Sequence, residues 1–317
     1  MERYLEVVAR PLLAAAGPHV GTTLDRLHQD SMELGHYDWT PDLPAQFQKH
    51  QGYDLRPLLP LLAGAVLADG PERGRVERDL RETIHRLLIE EHFGAFREFC
   101  RRHGLSAVAE SGETGSGIAV KGASVDHVMD EFWTHRTKDN DHAVAFNRNA
   151  VFAAHVYGQN RNTAEAFTSH QQWLETPAQL KALANEAFAL GLNHLTIHGF
   201  SSSRGQTPPP GEVYFAGTHF NPGVTWWKDF AAPLTAYFNR CQALLSAGRP
   251  VTDLLYIDGP ALQEMIRSNE MLRERERRFW SFDGIPGDWL ATKATVNAEG
   301  CRTPVHLRQR RQLEPDT

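Results

Sequence analysis

The sequence predicts an α/β protein of the (β/α)8 TIM-barrel type, with parallel strands, helical crossovers and an incomplete set of strands. Short apolar strand patterns alternate with amphipathic helix patterns along the 317 residues, and no β-hairpin signal separates consecutive strands. Five strand patterns are clear, which fits an incomplete barrel or a barrel whose other strands lack a clear pattern. A doubly wound sheet is the rival, but no GxGxxG motif follows the first strand, so a dinucleotide fold has little support.

Helices are predicted where apolar residues recur at helical spacing and Gly or Pro marks an end. The first helix covers 1–16 and stops at Gly17-Pro18, and the longest covers 75–103 and stops at Gly104. Pro57 and Pro60 indicate a short or broken helix within 56–67. The other helices are predicted at 41–52, 143–157, 177–190 and 226–245.

Strands are predicted where short apolar runs follow these helices. The run 105–109 directly after Gly104 is the most apolar of them and predicts a buried strand. The others are predicted at 22–28, 161–167, 192–197 and 251–257.

Composition and charge exclude several classes of protein. Hydrophobic residues make up 41% and charged residues 23%, which is typical of a globular chain. The net charge is -6 and no basic stripe marks a nucleic-acid surface. No apolar run approaches the ~18 residues of a membrane span. The amino terminus lacks the basic start and apolar stretch of a signal peptide, and the three scattered cysteines predict neither a disulfide framework nor a zinc site.

The character of the sequence changes near residue 258. The stretch 273–278 is a run of alternating charge, and the following residues lack a clean strand pattern. We therefore expect a barrel-type domain over 1–257 and a helical or irregular tail over 258–317.

Acidic residues stand at the carboxyl ends of several predicted strands, where parallel α/β barrels carry their chemistry. Asp30 and Glu33 follow the first strand, Glu110 follows the second, Glu165 lies near the end of the third, and Glu131 belongs to a further acid pair. Glu165 has apolar neighbours, among which an unpaired carboxylate is costly to bury, although a structural salt bridge would also explain it. Two carboxylates from different strand ends can hydrolyse a glycosidic bond. A carbohydrate-active barrel hydrolase is therefore plausible, and other acid-using barrels stay open.

Aromatic and polar residues near the same loops are further candidates. Trp39 and Trp226 suit the apolar faces of sugar rings, although tryptophans in such places also pack in cores. His198 and His219 lie in loops on the same face, where they either hydrogen-bond a substrate or have structural roles. Asn221 is a weaker candidate of the same kind, as is Asp30.

Ten strings in a fixed order resemble family 106 of the glycoside hydrolases, the α-L-rhamnosidases. The first, 29–35, reads QDSMELG, and 164–168 reads AEAFT. Together they extend over roughly the first 257 residues, which is more specific than any single acid. The other strings are 38–47, 52–57, 131–133, 155–158, 198–200, 217–221, 225–227 and 248–256.

This resemblance implies a catalytic (β/α)8 barrel that hydrolyses terminal α-L-rhamnosyl linkages with inversion, assisted by a bound calcium ion. Glu33 matches the general acid, Glu165 matches the general base, and Glu131 matches an acid near the sugar and the calcium ion. Inversion would place the carboxyl groups of Glu33 and Glu165 about 6.5–9.5 Å apart, with Glu33 protonated and Glu165 ionised. The implied substrate is a rhamnose-containing oligosaccharide, polysaccharide or glycoside. The expected substrate-binding residues are Asp30, Trp39, Glu131, His198, His219, Asn221 and Trp226.

The sequence departs from the family in length and at one strand end. Family members are longer, with sequence before the first strand and β-rich domains after the barrel, and are typically exported, so we expect a fragment of a catalytic domain. The string 110–113, ESGE, also departs from the family pattern. Two alternatives stay open: a non-catalytic, carbohydrate-binding or inactive remnant, and a retaining barrel glycosidase of another specificity, with a carboxyl separation of about 5–5.5 Å.

Overall fold

A computed structural model gives the architecture of the chain. It describes residues 1–31, 39–66, 71–110, 124–134, 148–170, 174–201, 207–208, 211–212, 220–248 and 250–251, and the backbone of 254–257, 282–285, 295–296 and 302–303. No helix in these ranges is both long enough and apolar enough to span a membrane.

The centre of the fold is a five-stranded sheet in which every neighbouring pair is parallel. Its spatial order is the chain order, β1-β2-β3-β4-β5. A doubly wound sheet reverses its strand order part-way, whereas a barrel winds in one direction. The five strands therefore form a half-barrel, which agrees with the predicted incomplete barrel. The closure by eight strands that the family resemblance implies is not seen in the described residues. The strands are β1 Arg26–Gln29, β2 Ser106–Glu110, β3 His127–Trp133, β4 Thr163–Thr168 and β5 His194–Ile197.

Helices connect the strands and cover one face of the sheet. The first helix packs through Leu5, Ala9 and Leu13, which recur at helical spacing. Beyond the half-barrel, β6 (Leu254–Ile257) pairs in parallel with β7 (Phe282–Ile285), and β8 (Thr295–Val296) pairs antiparallel with β9 (Arg302–Thr303). The helices are α1 Glu2–Ala16, α2 Leu43–Gln51, α3 Leu59–Leu62, α4 Arg73–Leu87, α5 Gly94–Arg102, α6 Asn149–Val156, α7 Pro177–Ala189 and α8 Trp227–Ser246.

The long helix predicted over 75–103 is interrupted by a π-helical turn, Leu88–Phe93, between α4 and α5. Gly94 follows this turn, and a Cβ atom there would lie 2.5 Å from the carbonyl oxygen of Ile89. Glycine is therefore the residue that allows the wide turn to continue into α5. The turn brings His92 against β1, where its Nε2 lies 2.6 Å from Nε2 of Gln29.

The sequence patterns predict five strands, and β3 is not one of them. Its centre carries the adjacent acids Asp130 and Glu131, which resemble a loop in the sequence. Asp130 is nevertheless buried against α6, where its carboxylate accepts a hydrogen bond from the backbone N–H of Ala150 at 3.2 Å. The predicted strand 251–257 corresponds to β6, which pairs with β7 rather than with the five-stranded sheet.

Two apolar clusters fill the space between the sheet and the helices. One contains Phe99 and Val128, and the other contains Phe167, Leu180 and Phe188. Because side chains alternate along a strand, burial of one set on the helix side directs the other set to the concave face of the half-barrel. That concave face carries the candidate site.

Candidate active site

Strand register gathers four acids and a histidine at the carboxyl end of the concave face. Glu131 pairs with Glu165 across β3 and β4, and Glu110 pairs with Met129, which lies two residues before Glu131 on the same face. Asp30 follows β1, and His198 follows β5. The carboxyl ends of parallel strands meet at one edge of a sheet, so residues distant in sequence meet here.

Three of these carboxylates lie close together. Asp30, Glu110 and Glu165 each offer an oxygen atom, and these atoms lie within 4.8 Å of one another. Asp30 is exposed, Glu165 is half-buried, and Glu110 is buried. Like charges at this separation cannot all stay ionised without a proton or a cation among them.

Glu110 is the carboxyl group that holds a proton most strongly. Burial, followed by the negative charges of Glu165 and Glu131 and a hydrogen bond with Asp30, raises the pKa of Glu110 to about 9. At neutral pH this side chain is therefore a carboxylic acid, as a proton donor must be.

Glu165 has the opposite preference. Burial raises its pKa, but hydrogen bonds from His198 and Thr168 outweigh burial, and the pKa is lowered overall. The Thr168 hydroxyl donates to Oε1 of Glu165 at 2.8 Å, and His198 Nδ1 lies 3.0 Å from the same oxygen. The hydrogen bond with Glu165 in turn raises the pKa of His198. Glu165 is thus an ionised carboxylate whose other oxygen, Oε2, takes no part in these two contacts, as a base or nucleophile requires.

Comparison with known proteins identifies the family. The model of glycoside hydrolase family 106, described as alpha-L-rhamnosidase, matches residues 1–312. The chain belongs to glycoside hydrolase family 106.

Two relatives of this family-106 chain are much longer than the chain itself. A rhamnosidase structure from Novosphingobium sp. PP1Y superposes with a TM-score of 0.76 at 28% identity, covering 92% of this chain and 29% of that one. A curated protein of Formosa agariphila, named "Putative beta-glucuronidase", is 31% identical over 304 residues, which are 95% of this chain and 25% of the relative. The chain thus spans roughly a quarter of the length of these relatives.

The remaining predicted site residues of the family-106 chain differ in exposure, and two of them are not described by the structure. Glu33 and His219 lie outside the described residues. Trp39 is 52% exposed. The indole N–H of Trp226 donates to a backbone carbonyl oxygen at 3.1 Å. Asn221 is buried, and its side-chain oxygen accepts a hydrogen bond from a backbone N–H in its own turn at 2.8 Å.

The structure adds two residues that the candidate set lacked. Glu110 follows its strand in the sequence, but acids at strand ends are common and only the register shows which of them converge. Thr168 gave no signal, since it reaches Glu165 through an irregularity of β4 at Phe167, whose φ is 68°. Such a bulge is not encoded by a glycine here and could not be read from the sequence.

Proposed function

We propose that the chain is the catalytic half-barrel of a glycoside hydrolase that removes terminal α-L-rhamnosyl groups from a rhamnose-containing glycan or glycoside. Family membership and the likeness to a solved rhamnosidase support the substrate class. The observation that carries the chemistry is an ionised Glu165 at the carboxyl end of a parallel sheet, beside a Glu110 whose pKa is raised. Carboxyl groups whose pKa values are pushed apart in this way perform acid–base work on glycosidic bonds.

The mechanism favoured by the family resemblance is inverting. Glu165 takes a proton from water as the water oxygen bonds to the anomeric carbon, and Glu33 protonates the leaving oxygen as the glycosidic bond breaks. His198 and Thr168 support this role of Glu165, because they stabilise its ionised form and fix one of its oxygens. Trp39, Trp226, His219 and Asn221 remain proposed substrate contacts.

A retaining mechanism is the second candidate, and the distance between Glu110 and Glu165 favours it. Their nearest oxygens lie within 4.8 Å, closer than the gap of about 6.5–9.5 Å that leaves room for an attacking water. In this alternative Glu165 bonds to the anomeric carbon as the glycosidic bond breaks, and Glu110 protonates the leaving oxygen. Water, which gives a proton to Glu110, then displaces Glu165 from the anomeric carbon. The configuration of the first sugar released distinguishes the two mechanisms.

Calcium is a proposed cofactor, and the donor set fits it. Ca²⁺ prefers several carboxylate oxygens in a flexible arrangement, which Asp30, Glu110 and Glu165 offer. Glu131 lies on the strand beside that of Glu110. When bound there, the ion would supply positive charge for sugar hydroxyl oxygens. The Glu110 and Asp30 carboxyl groups would bind the ion in place of the proton that they otherwise share.

The test is hydrolysis of an aryl α-L-rhamnoside by the chain and by Glu165→Gln, with exposed Glu90→Gln as the control. We expect Glu165→Gln to lower kcat about 100- to 10,000-fold with the fold intact, because it removes the base or nucleophile. Near-wild-type turnover would refute the assignment of Glu165.

Proton NMR of the first product distinguishes the two mechanisms, since β-L-rhamnose indicates inversion and α-L-rhamnose indicates retention. Calorimetric binding of rhamnose without hydrolysis would instead favour a carbohydrate-binding remnant.

A further inference from the structure

A second buried acid, Glu175, lies near the candidate active site and has no part in the mechanism above. It is only 5% exposed, two residues before α7. Burying a carboxylate is costly unless its hydrogen bonds are satisfied. The helix start beside it is fixed by a capping box, in which Thr176 and Gln179 hydrogen-bond each other's backbone N–H groups.

Glu175 joins three elements that surround the site. Its Oε1 accepts hydrogen bonds from the hydroxyl of Thr134, at 3.0 Å, and from that of Ser169. Its backbone carbonyl oxygen accepts the indole N–H of Trp226 at 3.1 Å. The residue therefore ties the end of β3 and the end of β4 to the residue that precedes α8.

The part of β4 held in this way is the irregular part. Phe167 has a φ of 68°, and the register shifts so that Trp133 of β3 pairs with Thr168. A non-glycine residue in the left-handed region is strained and persists where its surroundings over-determine it. The N–H of Thr134 donates to the carbonyl oxygen of Thr168 at 2.9 Å. Thr168, held through Thr134, then donates its hydroxyl to Glu165.

We propose that Glu175 is a positioning residue that fixes the irregular end of β4, so that the Thr168 hydroxyl stays directed at Glu165. Glu175 does not reach Glu165 itself, and it acts through Thr134, Ser169 and Thr168. The inference rests on the proposed function for its catalytic consequence, whereas its structural part stands without it.

A set of variants separates positioning from general stabilisation. Glu175→Ala removes the acceptor, whereas Glu175→Gln keeps an acceptor oxygen. Thr168→Val removes the hydroxyl that Glu175 positions. The exposed Asp229→Ala is the control. Glu175→Ala and Thr168→Val should each lower kcat on an aryl α-L-rhamnoside about 10-fold with KM nearly unchanged, since one hydrogen bond in the transition state is lost. Glu175→Gln should restore most of the loss. The double variant should be about as slow as either single one, because both changes remove the same interaction.

Hydrogen exchange supplies a measurement that needs no turnover. Amides of β4 should exchange faster in Glu175→Ala than in the wild-type chain, while those of β2 should not change. Unchanged exchange in β4, additive kinetic losses, or equal losses in the Gln and Ala variants would overturn the proposal. If Glu175→Ala fails to fold, Thr134→Val tests the same link, because it removes one of the two hydroxyl contacts at equal size. A wild-type chain without rhamnosidase activity would reject the proposed function alone, since the exchange result would still decide the role of Glu175.

Discussion

At the scale of residues, two glutamates of the candidate site respond differently to one crowded environment. Glu110 is buried among negative charges and has no cation beside it in the described residues, so it keeps its proton. Glu165 is half-buried in the same cluster but accepts hydrogen bonds from Thr168 and His198, so it stays ionised. Burial and partners, rather than residue type, thus decide which of the two carboxyl groups holds a proton.

A cation should compete with the proton on Glu110. Calcium added at neutral pH is expected to raise the melting temperature and to release protons, because it replaces the proton in the Asp30–Glu110 cluster. At about 100 times Kd the stabilisation would be about 2.7 kcal/mol. Calorimetry in two buffers of different ionisation enthalpy measures the protons released. Glu110→Gln should weaken binding and Glu90→Gln should not, so an equal response in both variants would place calcium elsewhere.

His194, at the amino end of the concave face, should make the free energy of unfolding depend on pH. Burial, followed by the charges of Arg161 and Arg26 and by His127, lowers the pKa of His194 to about 4. The unfolded chain protonates this histidine near pH 6.5 and the folded chain does not, so stability is fully present above pH 6.5 and is lost as pH falls towards 4. Since His194 is only partly buried, we expect about 1–3 kcal/mol.

Denaturant unfolding between pH 7 and pH 4 measures this loss. His194→Gln should reduce it, and His28→Gln, an exposed substitution on the same face, should leave it unchanged. Some dependence should remain in His194→Gln, because burial also lowers the pKa of His127. A loss identical to that of the wild-type chain would contradict the role of His194.

At the scale of elements, the sequence pattern misses two irregularities, the π turn before α5 and the bulge of β4. The regular parts, such as α1 and α7, follow from apolar spacing and end glycines, and the sequence predicted them closely. The irregular parts depend on contacts between elements: Phe167 adopts its positive φ within an apolar cluster, beside a residue held from β3. Strand β3 escaped prediction for a related reason, since its acids are accommodated by α6 on one face and by the site on the other.

The π turn makes a prediction about Gly94. Glycine-to-alanine changes inside helices usually stabilise by about 0.5–1 kcal/mol. Gly94→Ala should instead destabilise by about 1–3 kcal/mol, because the new Cβ would lie 2.5 Å from backbone oxygen and the turn must shift. Gly74→Ala in α4 is the matched control, since its Cβ would meet only side-chain atoms at 3.5 and 3.6 Å. Thermal unfolding of both variants measures the difference, and stabilisation by Gly94→Ala would argue against the π turn.

At the scale of the molecule, the two ends of the half-barrel differ in their titratable groups. Asp30, Glu110, Glu131 and Glu165 lie at the carboxyl end. Arg26 and Arg161 act on two histidines of lowered pKa, His127 and His194, near the amino end, where Arg26 also binds Asp25. The sequence predicted the parallel winding and the acids at strand ends, because both follow from local patterns. It could not predict which acids converge, because convergence depends on the register between strands, and β3 in the middle had not been recognised.

The half-barrel leaves two edges whose state can be measured. Strand β3 is hydrogen-bonded on both sides, whereas β1 and β5 are each paired on one side only within the described residues. The outer edge of β5 is partly covered by α8, where Oε1 of Gln242 accepts the N–H of Leu195 at 2.8 Å. Native-state hydrogen exchange should therefore be slowest in β3 and β4, faster in β1 and intermediate in β5. Gln242→Ala should speed exchange at Leu195 without affecting β3.

Exchange in β1 and β5 as slow as in β3 would mean that both edges are paired, as they would be in a closed barrel or between two copies of the chain. Measuring at two protein concentrations separates these cases, because only pairing between copies weakens on dilution.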